Sequence, residues 1–329
     1  DHRDLHSFPT RRSSDLGDGY VYDAVWSFSE DYAAVMKNKK WGFIDKNGKL
    51  MWDGFVYDNV NVVGFKDERC GVFKEKKWGF IDKNGKLVGE GFVYDEIQYF
   101  SDKYCGVRKG KKWGLINQDG KLLGDGFVYD EVHYFSKGYA SVKKRNKWAF
   151  INQDGKLLGD GFVYDEAWFF SEGYGLAKRG KKWGYINSNG HPLGSGFIYD
   201  DVWRFHLGYA PVKQGDKWGF INYDGVLVAG GFIYDQVWCL YDDVWTLSKD
   251  YPYAGVRKGD RWAFVDLNSE KILFDGFLYD AVLGFSEGHA AINKYGKWAF
   301  INYNGDILGT GFNTFHPLII VKKEKKYGF

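Results

Sequence analysis

Apolar and polar positions alternate along short segments of this chain with the period of β-strands. In Lys147–Ile151, Trp148 and Phe150 fall on one face of a strand and the intervening residues on the other. A second alternating segment, Tyr139–Val142, precedes it across the polar tip Lys143–Asn146. Windows of about 11–18 residues show no helical period. The pattern predicts an all-β protein built from hairpins.

Turn signals separate the strands. Asn152–Gly155 follows the second strand and has the form Asp/Asn-x-Asp/Asn-Gly, in which Gly or Asn supplies a positive φ. Variants of this turn recur along the chain. We expect a short strand at Lys156–Leu158 after the turn and another through Tyr129–Val132 before the hairpin.

One unit of about 35 residues is repeated about eight times. A Trp followed by Gly or Ala marks each copy, mostly 35 residues apart, with 44 residues between Trp218 and Trp262. The marker residues are Trp41, Trp78, Trp113, Trp148, Trp183, Trp218, Trp262 and Trp298, with a partial copy at Tyr327. We predict a tandem array of β-hairpin repeats, and favour an open superhelical or solenoid-like array over a closed eight-bladed propeller, because the unit is short for a four-stranded blade.

The marker Trp residues are predicted to form the structural core of the repeats. A unit this small cannot bury its own aromatic side chains, so neighbouring copies must cover them. The small residue after each Trp leaves room for a ring of the adjacent copy. On this interpretation Trp148→Ala costs about 3–5 kcal/mol.

Composition excludes several classes of protein. Aromatic residues make up 20% of the 329 residues, which excludes an intrinsically disordered chain. Three Cys cannot form a disulfide framework, and no apolar run reaches the roughly 20 residues of a membrane-spanning helix. A net charge of +2 argues against a uniformly basic nucleic-acid binder.

The first sixteen residues do not fit the repeat. His6–Leu16 can be reverse-translated into a string that resembles a sequencing-adapter oligonucleotide. We therefore expect residues 1–16 to be a non-native tail, residues 17–329 to form a single repeat domain, and the native N-terminus to be missing. The chain stops at Tyr327–Phe329 within a repeat, so the C-terminus is also expected to be truncated. The location stays unknown from the sequence, with an exported or cell-envelope location and a cytoplasmic one both open.

The recurring unit resembles a known family. Ala/Gly-Val-Lys, then Lys-Trp-Gly-Phe-Ile-Asp/Asn and Gly-Lys-Leu, followed by Tyr-Asp, is similar to the bacterial WG (or KWG) β-repeat, and the resemblance covers residues 17–329. The family usually has a Pro-containing stretch before Tyr-Asp, where this chain has Gly-Phe-Val. The resemblance implies an all-β repeat module of bacteria, often exported or attached to other domains, and supplies no catalytic residue.

Residues capable of chemistry do not form a recognisable catalytic or metal site. The His residues occupy different phases of the repeat, without zinc-ligand spacing, and no nucleophile elbow or phosphate-binding loop is present. Cys70 and Cys105 share one phase and are expected to be small buried residues. We predict no enzyme activity, cofactor or metal.

The Asp of each Tyr-Asp is expected to hold backbone N–H groups or a Lys of the next copy, with calcium binding as the alternative. It occurs in all eight copies: Asp23, Asp58, Asp95, Asp130, Asp165, Asp200, Asp235 and Asp280.

One position varies while its surroundings do not. It is occupied by Trp26, Asn61, Gln98, His133, Trp168, Trp203, Trp238 and Leu283. In repeat proteins such variation marks an exposed position, often on the binding face. Trp26, His133, Trp168, Trp203 and Trp238 are therefore binding candidates for sugar rings or a partner protein, unless they are partly buried between copies.

The seventh copy carries an insertion. Tyr234–Trp238 recurs as Tyr241–Trp245, which produces the longer spacing. Tyr241 and Trp245 are candidates for a local ligand or docking loop. The alternative is a duplication that the loop tolerates.

Basic residues concentrate at the hairpin tips, and most acidic residues lie elsewhere. The candidate basic edge contains Lys111, Lys112, Arg145, Lys147, Lys181 and Lys182. Such an edge can bind an anionic polymer, or it can serve only to solubilise the array and block edge pairing.

These features predict a non-catalytic binding or scaffolding module that recognises a protein or a surface glycan. The alternatives are a structural spacer that presents a missing domain, and binding of an anionic polymer along the tips. We expect a monomer without a transmembrane segment.

Overall fold

The protein is all-β in the computed structural model, which describes residues 21–238, 251–274, 276–285 and 288–312. The described residues form eight small antiparallel sheets in chain order and no helix. Each sheet has a linear strand order, and among the described strands none pairs with a strand of another sheet. The predicted all-β tandem repeat is confirmed.

The chain divides into two compact units. The first runs up to Asn146 and includes Ile151–Lys156, and the second contains Lys147–Phe150 and continues from Leu157. The boundary falls within the fourth repeat. A single repeat domain over residues 17–329 stays a prediction, and the predicted tail at residues 1–16 lies outside the described residues.

Sheets 1 to 4 occupy the first half of the chain. Sheet 1 contains β1 (Ala24–Val25), β2 (Tyr32–Lys37) and β3 (Lys40–Asp45). Sheet 2 contains β4 (Asn59–Val60), β5 (Arg69–Lys74), β6 (Lys77–Asp82) and β7 (Leu87–Val88). Sheet 3 contains β8 (Glu96–Ile97), β9 (Tyr104–Lys109) and β10 (Lys112–Asn117). Sheet 4 contains β11 (Glu131–Val132), β12 (Tyr139–Lys144) and β13 (Lys147–Asn152).

Sheets 5 to 8 follow the same plan. Sheet 5 contains β14 (Glu166–Ser171), β15 (Tyr174–Arg179) and β16 (Lys182–Asn187). Sheet 6 contains β17 (Asp201–Val202), β18 (Tyr209–Gln214), β19 (Lys217–Asn222) and β20 (Leu227–Val228). Sheet 7 contains β21 (Gln236–Trp238), β22 (Tyr253–Lys258), β23 (Arg261–Asp266) and β24 (Lys271–Ile272). Sheet 8 contains β25 (Ala281–Val282), β26 (His289–Lys294), β27 (Lys297–Asn302) and β28 (Ile307–Phe312).

Each sheet is centred on a hairpin of two six-residue strands with a two-residue tip. In the fourth repeat the tip residues Arg145 and Asn146 have φ of 51° and 64°. Two positive φ values are those of a type I′ turn, whose twist matches that of the flanking strands. The predicted polar tip is therefore a tight hairpin turn.

The second turn of the repeat is held by its first side chain. Asn152 Oδ1 accepts hydrogen bonds from the N–H groups of Asp154 (3.0 Å) and Lys156 (2.9 Å). Gly155 has a φ of 75° and donates its N–H to the Asn152 carbonyl at 2.9 Å. This is the turn expected from its sequence. The strand expected at Lys156–Leu158 is absent as a named strand, although equivalent pairs form β7 and β20.

Aromatic rings of successive repeats interlock to form the core. Phe80 of β6 meets Phe100, which follows β8 of the next sheet, edge to face at 5.1 Å between ring centroids. Tyr185 and Phe205 meet in the same way at 5.0 Å. All four side chains are buried. Most of the largest fully buried side chains are therefore the Phe or Tyr two residues after a marker Trp, or a Phe of the following repeat, and Tyr164 and Tyr234 complete the set.

The residue after the marker Trp is small because two groups approach it. A Cβ on Gly184 would lie 2.7 Å from the Gly196 carbonyl oxygen and 3.0 Å from the Phe197 ring. Phe197 in turn packs on Tyr164 of the preceding repeat, at 5.6 Å between centroids. The expected contact with a ring is present, and the backbone carbonyl adds a second constraint.

From the second repeat onward, the Asp of Tyr-Asp clamps two neighbouring hairpins. Asp165 Oδ1 accepts a hydrogen bond from Lys147 of the preceding hairpin at 2.5 Å, and its Oδ2 accepts the N–H of Gly180 at the next tip at 2.7 Å. The tip N–H bond is formed in all eight copies, by Asp23, Asp58, Asp95, Asp130, Asp165, Asp200, Asp235 and Asp280. The backbone N–H partner expected for this residue is present, whereas its Lys partner belongs to the preceding copy and not to the next one.

Candidate functional site

The variable position is held by backbone hydrogen bonds just beyond the first strand of the repeat. The Trp26 N–H donates to the Ala34 carbonyl at 2.9 Å, and the Trp203 N–H donates to the Pro211 carbonyl at 3.0 Å. The Asn61 and His133 N–H groups make the same bond. The backbone is therefore fixed at a point where the side chain changes from copy to copy.

Two of the candidate Trp side chains are exposed and backed by another Trp. Trp26 is 40% exposed, and its ring stacks on Trp41 with centroids 5.9 Å apart and planes 7° apart. Trp168 is 50% exposed and meets Trp183 edge to face at 6.5 Å. Each exposed indole is thus oriented by a marker Trp of its own sheet.

The other candidates at this position are less open. Trp203 and His133 are half-buried. His133 Nδ1 lies 2.9 Å from Ser141 Oγ, and its Nε2 lies 3.9 Å from Glu131. Trp238 ends β21, and the predicted loop residues Tyr241 and Trp245 lie outside the described residues.

A groove opens beside Trp26. Its volume is about 350 Å³, and three successive sheets contribute to it. The lining residues are Trp26, Asn59, Val60, Asn61, Val62, Trp78, Glu96 and Ile97. The structure therefore brings a variable-position Trp together with a marker Trp of the following repeat, which the sequence placed in the core.

The marker Trp residues differ in burial. Trp41 and Trp148 are buried, whereas the other six are half-buried. Cations approach three of the half-buried rings, and Lys178 Nζ lies 5.3 Å from the centroid of Trp183. The core role assigned to these residues stays a prediction, and the structure adds that several of their rings border the surface.

The position after the variable one carries a series of exposed apolar side chains that is not among the candidates predicted from the sequence. Val62, Tyr134 and Phe169 are all exposed. Tyr99 and Tyr134 stack with centroids 4.3 Å apart, and the Arg204 guanidinium lies 5.8 Å from the centroid of Phe169. The change of residue from copy to copy at this position is the sequence signal that marks it as exposed.

The basic edge is partly neutralised by the clamps. Lys112, Lys147 and Lys182 pair with the Tyr-Asp carboxylates of Asp130, Asp165 and Asp200. The backbone N–H of Arg145 donates to Asp130 at 2.8 Å, and Lys111 and Lys181 are exposed at the tips. Binding of an anionic polymer along this edge stays a prediction.

The clamps also set the acidity of the carboxyl groups. The hydrogen bond from Lys147, followed by that from the Gly180 N–H, lowers the pKa of Asp165 below its ordinary value. The same pair of causes lowers the pKa of Asp58, Asp95, Asp130, Asp200 and Asp235. These groups are charged at neutral pH, as an ion-paired clamp requires.

Cys70 and Cys105 are buried, as expected, and burial raises the pKa of both thiols. Across the part of the chain that the structure describes, no three His, Cys, Asp or Glu side chains group closely enough to hold a metal ion. Among the same residues, no helix of the length and apolarity needed to cross a membrane is found.

The model of the family described as "WG containing repeat" matches the chain seven times, which confirms the resemblance recognised in its sequence. The matched residues are 20–41, 41–78, 78–113, 113–148, 148–183, 183–218 and 268–298. No curated protein matches the chain.

Three solved structures resemble the chain at low identity. A eukaryotic initiation factor has 10% identity and a TM-score of 0.44, over 88% of this chain and 87% of that one. Apo AztD from Citrobacter koseri has 10% identity and a TM-score of 0.37, over 85% and 93%. BamB from Moraxella catarrhalis has 8% identity and a TM-score of 0.31, over 88% and 87%. These similarities are too distant to bear on function.

Proposed function

The chain belongs to the WG containing repeat family, and from that premise we propose that it is a non-catalytic recognition module for a surface glycan or a protein. One observation carries the proposal: Trp26 and Trp168 are exposed at a position whose backbone is fixed and whose side chain varies between copies.

The repeat frame supports this function because it orients the contact residues before a ligand arrives. The hairpins are joined by aromatic packing and Asp clamps, so the backbone beneath the variable position has little freedom to lose on binding. Preorganisation of this kind raises affinity by lowering the entropy cost of association. Exposed Trp side chains are also among the residues that contribute most to binding energy at interfaces.

The test measures binding by the whole chain. A glycan array and a protein pull-down, each at two salt concentrations, are run with the unaltered protein and with the double variant Trp26→Leu/Trp168→Leu. Leu is chosen because Leu283 already occupies this position in the eighth copy. We expect a glycan or protein ligand to be retained by the unaltered protein and lost by the variant.

The other outcomes separate the alternatives. Retention that falls steeply with salt and is unaffected by the double variant would favour an anionic polymer bound along the tips. Retention of neither glycan nor protein at either salt concentration would contradict the proposal and favour a structural spacer.

A further inference from the structure

We propose that the groove beside Trp26 is a subsite for a neutral saccharide, one or two sugar rings in length. This inference rests on the proposed recognition function and deepens it by naming the class of ligand and the residues that contact it. It is argued from the shape, hydrogen-bonding groups and charge of the groove.

Two indole rings supply the apolar walls. Trp26 stacks on Trp41 and is still 40% exposed. Trp78, on the following sheet, is supported by Phe73 at 5.1 Å between centroids. Rings that are fixed in this way suit the flat C–H faces of a pyranose, because aromatic side chains combine a large apolar area with few rotatable bonds.

Two Asn side chains supply oriented donors. Asn59 Oδ1 accepts the Val60 N–H at 2.9 Å, and Asn61 Oδ1 accepts the Val63 N–H at 3.0 Å. These bonds fix the amide planes through their oxygens. Within the described residues neither amide nitrogen donates a hydrogen bond to another group, so up to four N–H donors are available to a ligand.

Glu96 supplies an acceptor in the same groove. Its Oε2 accepts hydrogen bonds from Arg108 Nε at 2.9 Å and lies 2.7 Å from Arg108 Nη2. The paired arginine holds the carboxylate in place and leaves Oε1 as an acceptor. Because a sugar hydroxyl both donates and accepts, amide donors and a carboxylate acceptor lining one groove match its chemistry.

Charge and size define the ligand further. None of the eight lining residues is basic, and the single acidic one is already paired with Arg108. An anionic sugar would therefore find no cation among the lining residues to pair with its own charge. The volume of about 350 Å³ is at the small end of the roughly 300–1,000 Å³ of ligand pockets, which limits the bound portion to a short segment.

In the third and fourth repeats the side chain at the variable position forms a hydrogen bond to another group of the protein. Gln98 Nε2 donates to the Val132 carbonyl at 3.0 Å, and His133 Nδ1 lies 2.9 Å from Ser141 Oγ. Asn61, in contrast, keeps its amide nitrogen for a ligand. The saccharide subsite is therefore assigned to the groove between Trp26 and Trp78 and not to every copy.

The experiment is isothermal titration calorimetry of the whole chain with cellotetraose, maltotetraose and, as the acidic probe, tetragalacturonate. We expect at least one neutral tetrasaccharide to bind and tetragalacturonate not to bind. Trp26→Leu should weaken the binding by at least about tenfold. Asn61→Leu provides a second test through the amide. Both variants copy Leu283 of the eighth copy, whose N–H makes the same backbone hydrogen bond, to the Ala291 carbonyl at 2.8 Å.

Tyr295→Ala is the control, because Tyr295 is an aromatic residue that is 79% exposed and does not line the groove. It should bind the saccharide like the unaltered protein. The proposal is overturned if no neutral tetrasaccharide binds, or if both groove variants bind with unchanged affinity. In the latter case the recognition function stands and its site lies elsewhere, whereas failure of every glycan and protein ligand contradicts both proposals.

Discussion

Close approach of glycine backbones in neighbouring repeats gives a sharp test of how the repeats stack. Gly190 lies in the turn of the fifth repeat, is buried and has a φ of 81°. A Cβ on it would lie 2.1 Å from the nitrogen of Gly159 and 2.5 Å from its Cα, in the fourth repeat. No Cβ fits at these distances, so Gly190→Ala must separate the two repeats locally.

Gly180 provides the matched control. It lies at the tip of the fifth hairpin, has a φ of 65° and is exposed, and a Cβ there would meet no atom within 4 Å. Both Ala variants bear the cost of a left-handed conformation, roughly 1–2 kcal/mol. Only Gly190→Ala also suffers the steric overlap, which adds about 1–3 kcal/mol.

We therefore expect Gly180→Ala to lower the free energy of unfolding by about 1–2 kcal/mol and Gly190→Ala to lower it by about 2–5 kcal/mol. The assay is urea unfolding followed by intrinsic Trp fluorescence, with both variants compared under one protocol because repeat arrays depart from two-state behaviour. Equal losses for the two variants would refute the claim that glycine contacts set the spacing of the repeats.

Three further predictions concern the clamps, the core and the thiols. The folded state lowers the pKa of the clamp carboxylates, so their stabilisation is present above the ordinary Asp pKa of about 4 and is lost as the pH falls through the lowered values. At pH values below 4 the urea concentration at the unfolding midpoint should therefore decrease, and it should decrease less for Asp165→Asn. An identical acid response of that variant would argue against the clamp. Trp148→Ala should lower the free energy of unfolding by about 3–5 kcal/mol in the same urea assay. Trp183→Ala should lower it by less, because the Trp183 ring is half-buried, and the reverse order would contradict the observed burial. Cys70 and Cys105 are buried and their thiol pKa values are raised, so iodoacetamide should label them slowly in the native protein and quickly in urea. Mass spectrometry measures the labelling, and rapid labelling of the native protein would contradict their burial.

The elements of each repeat could be predicted from sequence because they depend on local signals. Alternation in Tyr139–Val142 and Lys147–Ile151 predicts the hairpin that the structure forms at Tyr139–Lys144 and Lys147–Asn152. The turn at Asn152–Gly155 follows from its own side chain and glycine. Each of these features is decided by residues within a few positions of one another.

Contacts between repeats could be predicted less well because alternation does not show how one sheet is placed against the next. The sequence marks Asp165 as structural, but its distance to Lys147, eighteen residues earlier, depends on that placement. The same limit applies to Trp78, which the repeat pattern places in the core and whose half-buried ring also lines the groove. Whether a ring on the inner face reaches the surface between two sheets cannot be inferred from its period.

The exposure of the candidate residues follows from the sequence only in part. Variation at one position indicates an exposed side chain, and Trp26 and Trp168 are exposed, whereas Trp203 and His133 are half-buried. The neighbouring groups that give the groove its chemistry, Asn59 and Glu96, come from different sheets and have no shared sequence signal. Their proximity arises from stacking, which the repeat pattern implies but does not measure.

The most direct test of the recognition function is ¹⁹F NMR of the chain labelled with 5-fluorotryptophan, with resonances assigned by single Trp→Phe variants. The protein is titrated with whichever ligand the array or pull-down identifies. We predict that the resonance of Trp26 or Trp168 shifts in proportion to the bound fraction, while that of the buried Trp148 does not move. Saturation by the ligand with both exposed Trp resonances unchanged would contradict the proposed recognition surface.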